Sequence, residues 1–69
     1  MDFVIEQGRN TLAIEVKAAA RWNERDIAGL EAFLAATPRC RVAVLAHGGR
    51  ATTKLGDRLW AIPIRRLLA

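Results

Sequence analysis

The first eighteen residues alternate between polar and apolar positions in two short stretches. Residues 2–6 and residues 11–17 each place apolar side chains at every second position, which is the period of a β-strand with one covered face. Residues 7–10 between them are Gln, Gly, Arg and Asn, a composition typical of a turn. The pattern therefore predicts an N-terminal β-hairpin.

The middle of the chain changes to helical spacing. Ile27, Leu30 and Leu34 recur at intervals of three and four residues, so they share one face of a helix. Asn23 is a favourable N-cap for that helix, because its side-chain oxygen accepts a hydrogen bond from a free backbone N–H of the first turn. Pro38 cannot continue a helix. We expect the main helix to begin after Asn23 and to end just before Pro38.

Two further strands are predicted in the last third of the chain. Residues 41–46 form a continuous apolar run, which is typical of a central strand covered on both faces. Residues 47–57 are polar and rich in glycine, and we expect them to form a loop. Residues 58–62 predict the last strand, and residues 64–69 a short C-terminal helix.

The predicted fold class is α/β. The element order is strand, strand, helix, strand, strand, helix, so we expect a four-stranded mixed sheet in sequential order. In it a hairpin is followed by a helix crossover to a parallel strand and then by an antiparallel strand, and the main helix covers one face. Residues 1–69 are too few for more than one domain.

The alternation of side chains between the two faces of the hairpin brings three charged residues to one face. A two-residue turn at Gly8 and Arg9 places Asp2 directly opposite Glu15, with Lys17 two residues further along the same face. A turn one residue later pairs Asp2 with Lys17 instead. In both registers the side chains of Asp2, Glu15 and Lys17 project from the same side of the hairpin.

These three residues form a candidate catalytic group. Opposed carboxylates lie about 5 Å apart at Cβ and suit Mg²⁺ or Mn²⁺, with Asp2 and Glu15 as the metal ligands. Such a metal activates water for attack on a phosphodiester, and Lys17 would stabilise the charge that develops on the phosphate. The alternative is an ordinary amphipathic hairpin whose polar face is solvated.

The net charge favours anionic partners. The chain has 11 basic and 7 acidic residues, a formal charge of +4, and nine of the basic residues are arginine. Arginine binds phosphate through two parallel hydrogen bonds, and Arg21 and Arg50 are our candidates for contacts with nucleic acid. The alternative is that the excess charge serves solubility alone.

The ordered residues also resemble a known family. An acid separated by twelve residues from Glu-Val-Lys at the end of a strand resembles the signature of the PD-(D/E)XK nuclease superfamily, which has the restriction-endonuclease-like fold. More closely, the chain resembles the C-terminal domain of unknown function of a prokaryotic AAA+ ATPase family. The residues that carry this resemblance are 2–6, 14–17, 30–34 and 59–63.

The resemblance implies roles for the hairpin residues and for its free edge. Asp2 and Glu15 would bind Mg²⁺ or Mn²⁺, and Lys17 would be the catalytic lysine. The first helix and strand of the superfamily core would lie before Met1, so we expect a truncated core with an incomplete site, acting in binding or assembly. The alternative is a metal-dependent DNA endonuclease. Because the first strand of the superfamily core is missing, strand 2–6 would be an open edge. This predicts a homodimer or a protein partner that adds a strand.

The cellular compartment is predicted from two features that the sequence lacks, a long apolar run and a second cysteine. No apolar run approaches the roughly 18 residues of a transmembrane helix, so we expect no membrane partner. Cys40 is the single cysteine and has no partner for an internal disulfide. We therefore expect a protein of the reducing cytoplasm.

Overall fold

A computed structural model describes residues 3–17 and 19–68 as one sheet with two helices. In chain order the elements are β1 (Phe3–Gln7), β2 (Asn10–Val16), α1 (Glu24–Ala36), β3 (Cys40–His47), β4 (Thr53–Gly56), β5 (Leu59–Pro63) and α2 (Ile64–Leu68). No helix within these two ranges is long and apolar enough to cross a membrane.

The N-terminal hairpin is confirmed, together with one of its two predicted registers. β1 and β2 are antiparallel, and Ile5 lies opposite Leu12. The turn residues are Gly8 and Arg9, and Gly8 has a φ of 62°. A positive φ at the first central position of a two-residue turn favours glycine, because glycine has no Cβ to clash with the backbone.

The main helix also begins and ends where its sequence predicts. The side chain of Asn23 accepts a hydrogen bond from the backbone N–H of Asp26 at 3.0 Å, and the side chain of Asp26 accepts one from the backbone N–H of Asn23 at 2.9 Å. This reciprocal pair is a capping box. Thr37 forms the C-cap, so α1 ends at Ala36, two residues before Pro38.

The sheet has five strands in the order β1-β2-β3-β5-β4, which corrects the predicted four-stranded sheet. The predicted loop over residues 47–57 contains β4, a short strand of mostly exposed residues that pairs antiparallel with β5. Since β4 takes the outer edge, the chain turns back and enters β5 parallel to β3. The predicted antiparallel return beside β3 is therefore wrong.

The core lies between α1 and one face of the sheet. Leu30 and Leu34 of α1 pack against small and medium side chains of the strands. The strand members of this core are Ala13, Cys40, Ala43, Leu45, Leu59 and Ala61. The larger apolar residues of the hairpin alternate with Ala13 and so project from the other face, where Leu12 and Ile14 are half-buried.

Candidate functional site

Three parallel strands end at the same edge of the sheet. β2, β3 and β5 run parallel to one another, so the residues that follow them converge. In open α/β sheets, ligands bind in the crevice outside the carboxyl ends of the strands. Lys17 follows β2 at this edge, and His47 is the last residue of β3.

The predicted catalytic lysine is held by the helix. The Nζ atom of Lys17 lies 2.9 Å from Oδ1 of Asp26, and the Asp26 side chain is only 12% exposed. The backbone N–H of Lys17 donates to the carbonyl of Ala46 at 2.7 Å. Lys17 therefore connects the end of β2 to both β3 and the first turn of α1.

The electrostatics of this contact lower the pKa of Asp26. The backbone hydrogen bond from Asn23 is the largest cause, and the side-chain hydrogen bond from Lys17 is the next. Both stabilise the carboxylate, so the pKa lies below the ordinary value of 3.8. A carboxyl group with a lowered pKa in the folded state stabilises the fold at higher pH and loses this effect as the pH falls through the folded pKa.

We therefore expect protonation of Asp26 to cause part of the loss of stability at acid pH. Asp26→Asn should lower the thermal midpoint at neutral pH, because the pairing with Lys17 is lost. It should also flatten the decline of the midpoint between about pH 5 and pH 2. Circular dichroism melts across this range measure both effects. If the thermal midpoints of the wild type and Asp26→Asn fall in parallel as the pH is lowered, Asp26 does not cause the acid-dependent loss of stability.

Of the two predicted metal ligands, the structure describes Glu15 alone. Glu15 is half-buried on the face covered by α1, and Leu45 of β3 is its neighbour in the register. Residues 3–17 and 19–68 contain no group of three side chains placed to hold a metal ion. Asp2, the second predicted ligand, lies outside the described residues. The Mg²⁺ or Mn²⁺ site of Asp2 and Glu15 therefore stays a prediction.

The two arginines predicted to contact nucleic acid line one cavity. Arg21 precedes α1 and Arg50 follows β3, and both border a cavity of about 290 Å³. Trp22, His47 and Gly49 also line this cavity, with two alanines. The fold thus brings together side chains that are far apart in the sequence, at the carboxyl ends of the parallel strands.

The wall of this cavity is built around His47, a residue to which the sequence assigned no role. His47 is 1% exposed, and its ring lies 4.8 Å from the ring of Trp22. Nδ1 of His47 accepts a hydrogen bond from the backbone N–H of Gly49 at 3.0 Å. His47 continues the alternation of Ala43 and Leu45 along β3, which is the sequence signal that indicates burial on this face.

Gly49 is the residue that permits the close approach of the two chain segments at this cavity. A Cβ atom at this position would lie 2.8 Å from the carbonyl oxygen of Ala20 and 3.0 Å from Nδ1 of His47. These contacts are too short for any other residue, so glycine is required by the packing of the loop against the segment before α1.

The fold and this edge define a small α/β domain with a five-stranded mixed sheet and a basic cavity at the carboxyl ends of its parallel strands. The chain belongs to the DUF4143 family, a domain of unknown function, which it matches over residues 1–67. No curated protein and no solved structure matches it. The predicted relation to a domain of unknown function is thus confirmed, while the nuclease superfamily and the ATPase association stay predictions.

Proposed function

We propose that this chain is a non-catalytic accessory domain with a nuclease-like fold, and that it assembles with a second copy of itself through β1. Its association with an ATPase follows from the resemblance of its sequence to the C-terminal domain of AAA+ ATPases. The ion pair of Lys17 with Asp26 supports a non-catalytic role, because it gives the lysine a structural partner.

The observation that carries the proposal is the open edge of β1. Within the described part of the chain, β1 pairs with β2 alone and lies at the end of the sheet. Gln7 and Asn10 close the two-residue turn, so the backbone groups of alternate residues point toward β2. Those of Val4 and Glu6 point away from it. The side chains of Val4 and Ile5 are 47% and 51% exposed.

A second copy fits this edge about a two-fold axis. Antiparallel pairing centred on Ile5 places Val4 of each copy opposite Glu6 of the other, so that the free backbone groups of both strands hydrogen-bond. No like charges face each other in this register. The two Ile5 side chains meet on the face opposite α1, where they extend the apolar surface formed by Leu12 and Ile14.

Among the described residues, β1 also has no unpaired charge of the kind that protects edge strands. Glu6 forms an ion pair with Arg39 at 3.0 Å, with exposed fractions of 58% and 63% for the two side chains. Such an exposed pair contributes little stability. The ion pair does neutralise Glu6, the one acidic side chain described on β1. An unpaired charge on an edge strand normally prevents pairing with another edge.

The proposal is tested by removing one outward backbone donor. Val4→Pro deletes an N–H that points away from β2, so the hairpin is retained and the edge is blocked. Val4→Thr keeps the N–H and the branched shape, and is the matched control. In sedimentation velocity, the wild type and Val4→Thr should approach twice the 7.6 kDa chain mass as concentration rises. Val4→Pro should associate at least about tenfold more weakly.

Two results would overturn the proposal. One is a wild-type chain that stays at 7.6 kDa up to about 1 mM. The other is equal association of Val4→Pro and Val4→Thr, since this would place the interface elsewhere. Far-ultraviolet circular dichroism of both variants shows whether the fold is retained, so that a loss of association is attributed to the edge.

A further inference from the structure

A second cavity shares part of its lining with the cavity beside Trp22. The second cavity has a volume of about 380 Å³ and is lined by the loop after β3 and by α2. Both cavities are lined by His47, Gly49 and Arg50. The second adds residues of α2, among them Arg65. Together they form a surface that passes from the segment before α1, over the loop, to α2.

The charge on this surface has one sign. Arg21, Arg50 and Arg65 are exposed, and the described residues that line the two cavities include no aspartate or glutamate. None of these three arginines has a hydrogen bond or ion pair to another described side chain, in contrast to Arg39. Free guanidinium groups in a concave site bind phosphate oxygens through paired hydrogen bonds.

Two residues with aromatic rings, Trp22 and His47, line the first cavity. Trp22 is half-buried and contributes its indole to the lining, and an indole is a good platform for a nucleobase. Because Nδ1 of His47 accepts from Gly49, the ring proton of the neutral side chain lies on Nε2. Nε2 is buried and has no hydrogen-bond partner among the described residues.

From these contacts we infer that the first cavity binds a nucleoside phosphate. The base packs against Trp22, and the phosphate lies between Arg21 and Arg50. The volume of about 290 Å³ is close to the lower limit for small-molecule sites, which span roughly 300–1,000 Å³, and suits one nucleotide unit. Arg65 lines the second cavity, and we assign it to the neighbouring phosphate if the ligand is a strand. This inference goes beyond assembly through β1, since no residue of β1 lines either cavity.

The test uses the full chain with Trp60→Phe, so that Trp22 is the only fluorophore of its kind. Adenosine monophosphate and a single-stranded thymidine octamer are titrated separately, and both are expected to quench Trp22. Adenosine and inorganic phosphate should each bind at least about tenfold more weakly than adenosine monophosphate, because each supplies only half of the contacts. If the octamer binds more tightly than adenosine monophosphate, the ligand of this cavity is a nucleic-acid strand. If the two affinities are equal, the ligand is a free nucleotide.

The matched control removes the same charge elsewhere. Arg21→Ala combined with Arg50→Ala should weaken binding at least about tenfold, whereas Arg9→Ala combined with Arg25→Ala should change it less than about twofold. All four side chains are exposed, so neither pair of substitutions removes core packing. The inference is overturned if neither ligand quenches Trp22, or if both double variants lose affinity equally, because binding would then reflect net charge alone.

Discussion

Replacing Leu30 by alanine is expected to remove about 3 kcal/mol from the free energy of unfolding, a large loss for a chain of this size. Leu30 is 0% exposed and connects α1 to the covered face of the sheet. A chain of 69 residues has a stability of only roughly 3–10 kcal/mol. The truncation leaves a cavity under the helix that small neighbours such as Ala13 and Ala43 cannot fill.

Urea denaturation at a fixed, low protein concentration measures this loss without a contribution from association. Leu68→Ala is the matched control, because Leu68 is 82% exposed and its truncation should change the stability by less than about 0.5 kcal/mol. If Leu30→Ala cost less than about 1 kcal/mol, the packing of α1 on this face would be wrong.

The second large effect is expected at Arg58, whose guanidinium group connects three parts of the fold. Nη1 donates to the carbonyl of Cys40 at 2.7 Å and to that of Pro38 at 3.3 Å, and Nη2 donates to the carbonyl of Leu34 at 3.3 Å. These carbonyls belong to the end of α1, the turn and the start of β3. Arg58→Ala leaves them without this donor and should cost about 2 kcal/mol.

The same denaturation experiment separates the geometry of this contact from its charge. Arg58→Lys keeps the charge but lacks the planar fork, so it should recover less than half of the loss. Arg66→Ala removes an exposed arginine of α2 and should leave the stability nearly unchanged. Equal stabilities for Arg58→Ala and Arg66→Ala would contradict the role of Arg58.

The elements that the sequence predicted correctly are those determined by neighbouring residues. The hairpin depends on alternation and on Gly8, whose positive φ the turn requires. The start of α1 depends on Asn23 and Asp26, three residues apart, whose hydrogen bonds form within one turn. Such contacts are encoded locally and are visible in a short window of sequence.

β4 was missed because its residues carry no strand pattern. Thr53–Gly56 is short, mostly exposed and ends in glycine, so neither alternation nor apolar content indicates a strand. It forms because β5 has a free edge beside it, which is a property of the assembled sheet. This one strand also decides that β5 runs parallel to β3, and therefore that the carboxyl ends of β2, β3 and β5 meet.

The candidate site was only partly visible for the same reason. Arg21 and Arg50 were chosen for their charge, but the cavity that they share exists because the loop after β3 packs on the segment before α1. The contact of Lys17 with Asp26 depends on how the helix crosses the sheet, which no spacing in the sequence fixes. His47 was missed because its burial follows from β3 extending one residue further than its apolar run.

The most direct measurement of the central claim, assembly through β1, is amide hydrogen exchange of the outward N–H groups of Val4 and Glu6 at increasing protein concentration. The inward N–H groups of Ile5 and Gln7 are internal controls, since β2 protects them in every state. We predict that exchange at Val4 and Glu6 slows as concentration rises, while Ile5 and Gln7 stay unchanged. Exchange at Val4 and Glu6 that is independent of concentration would contradict pairing at this edge.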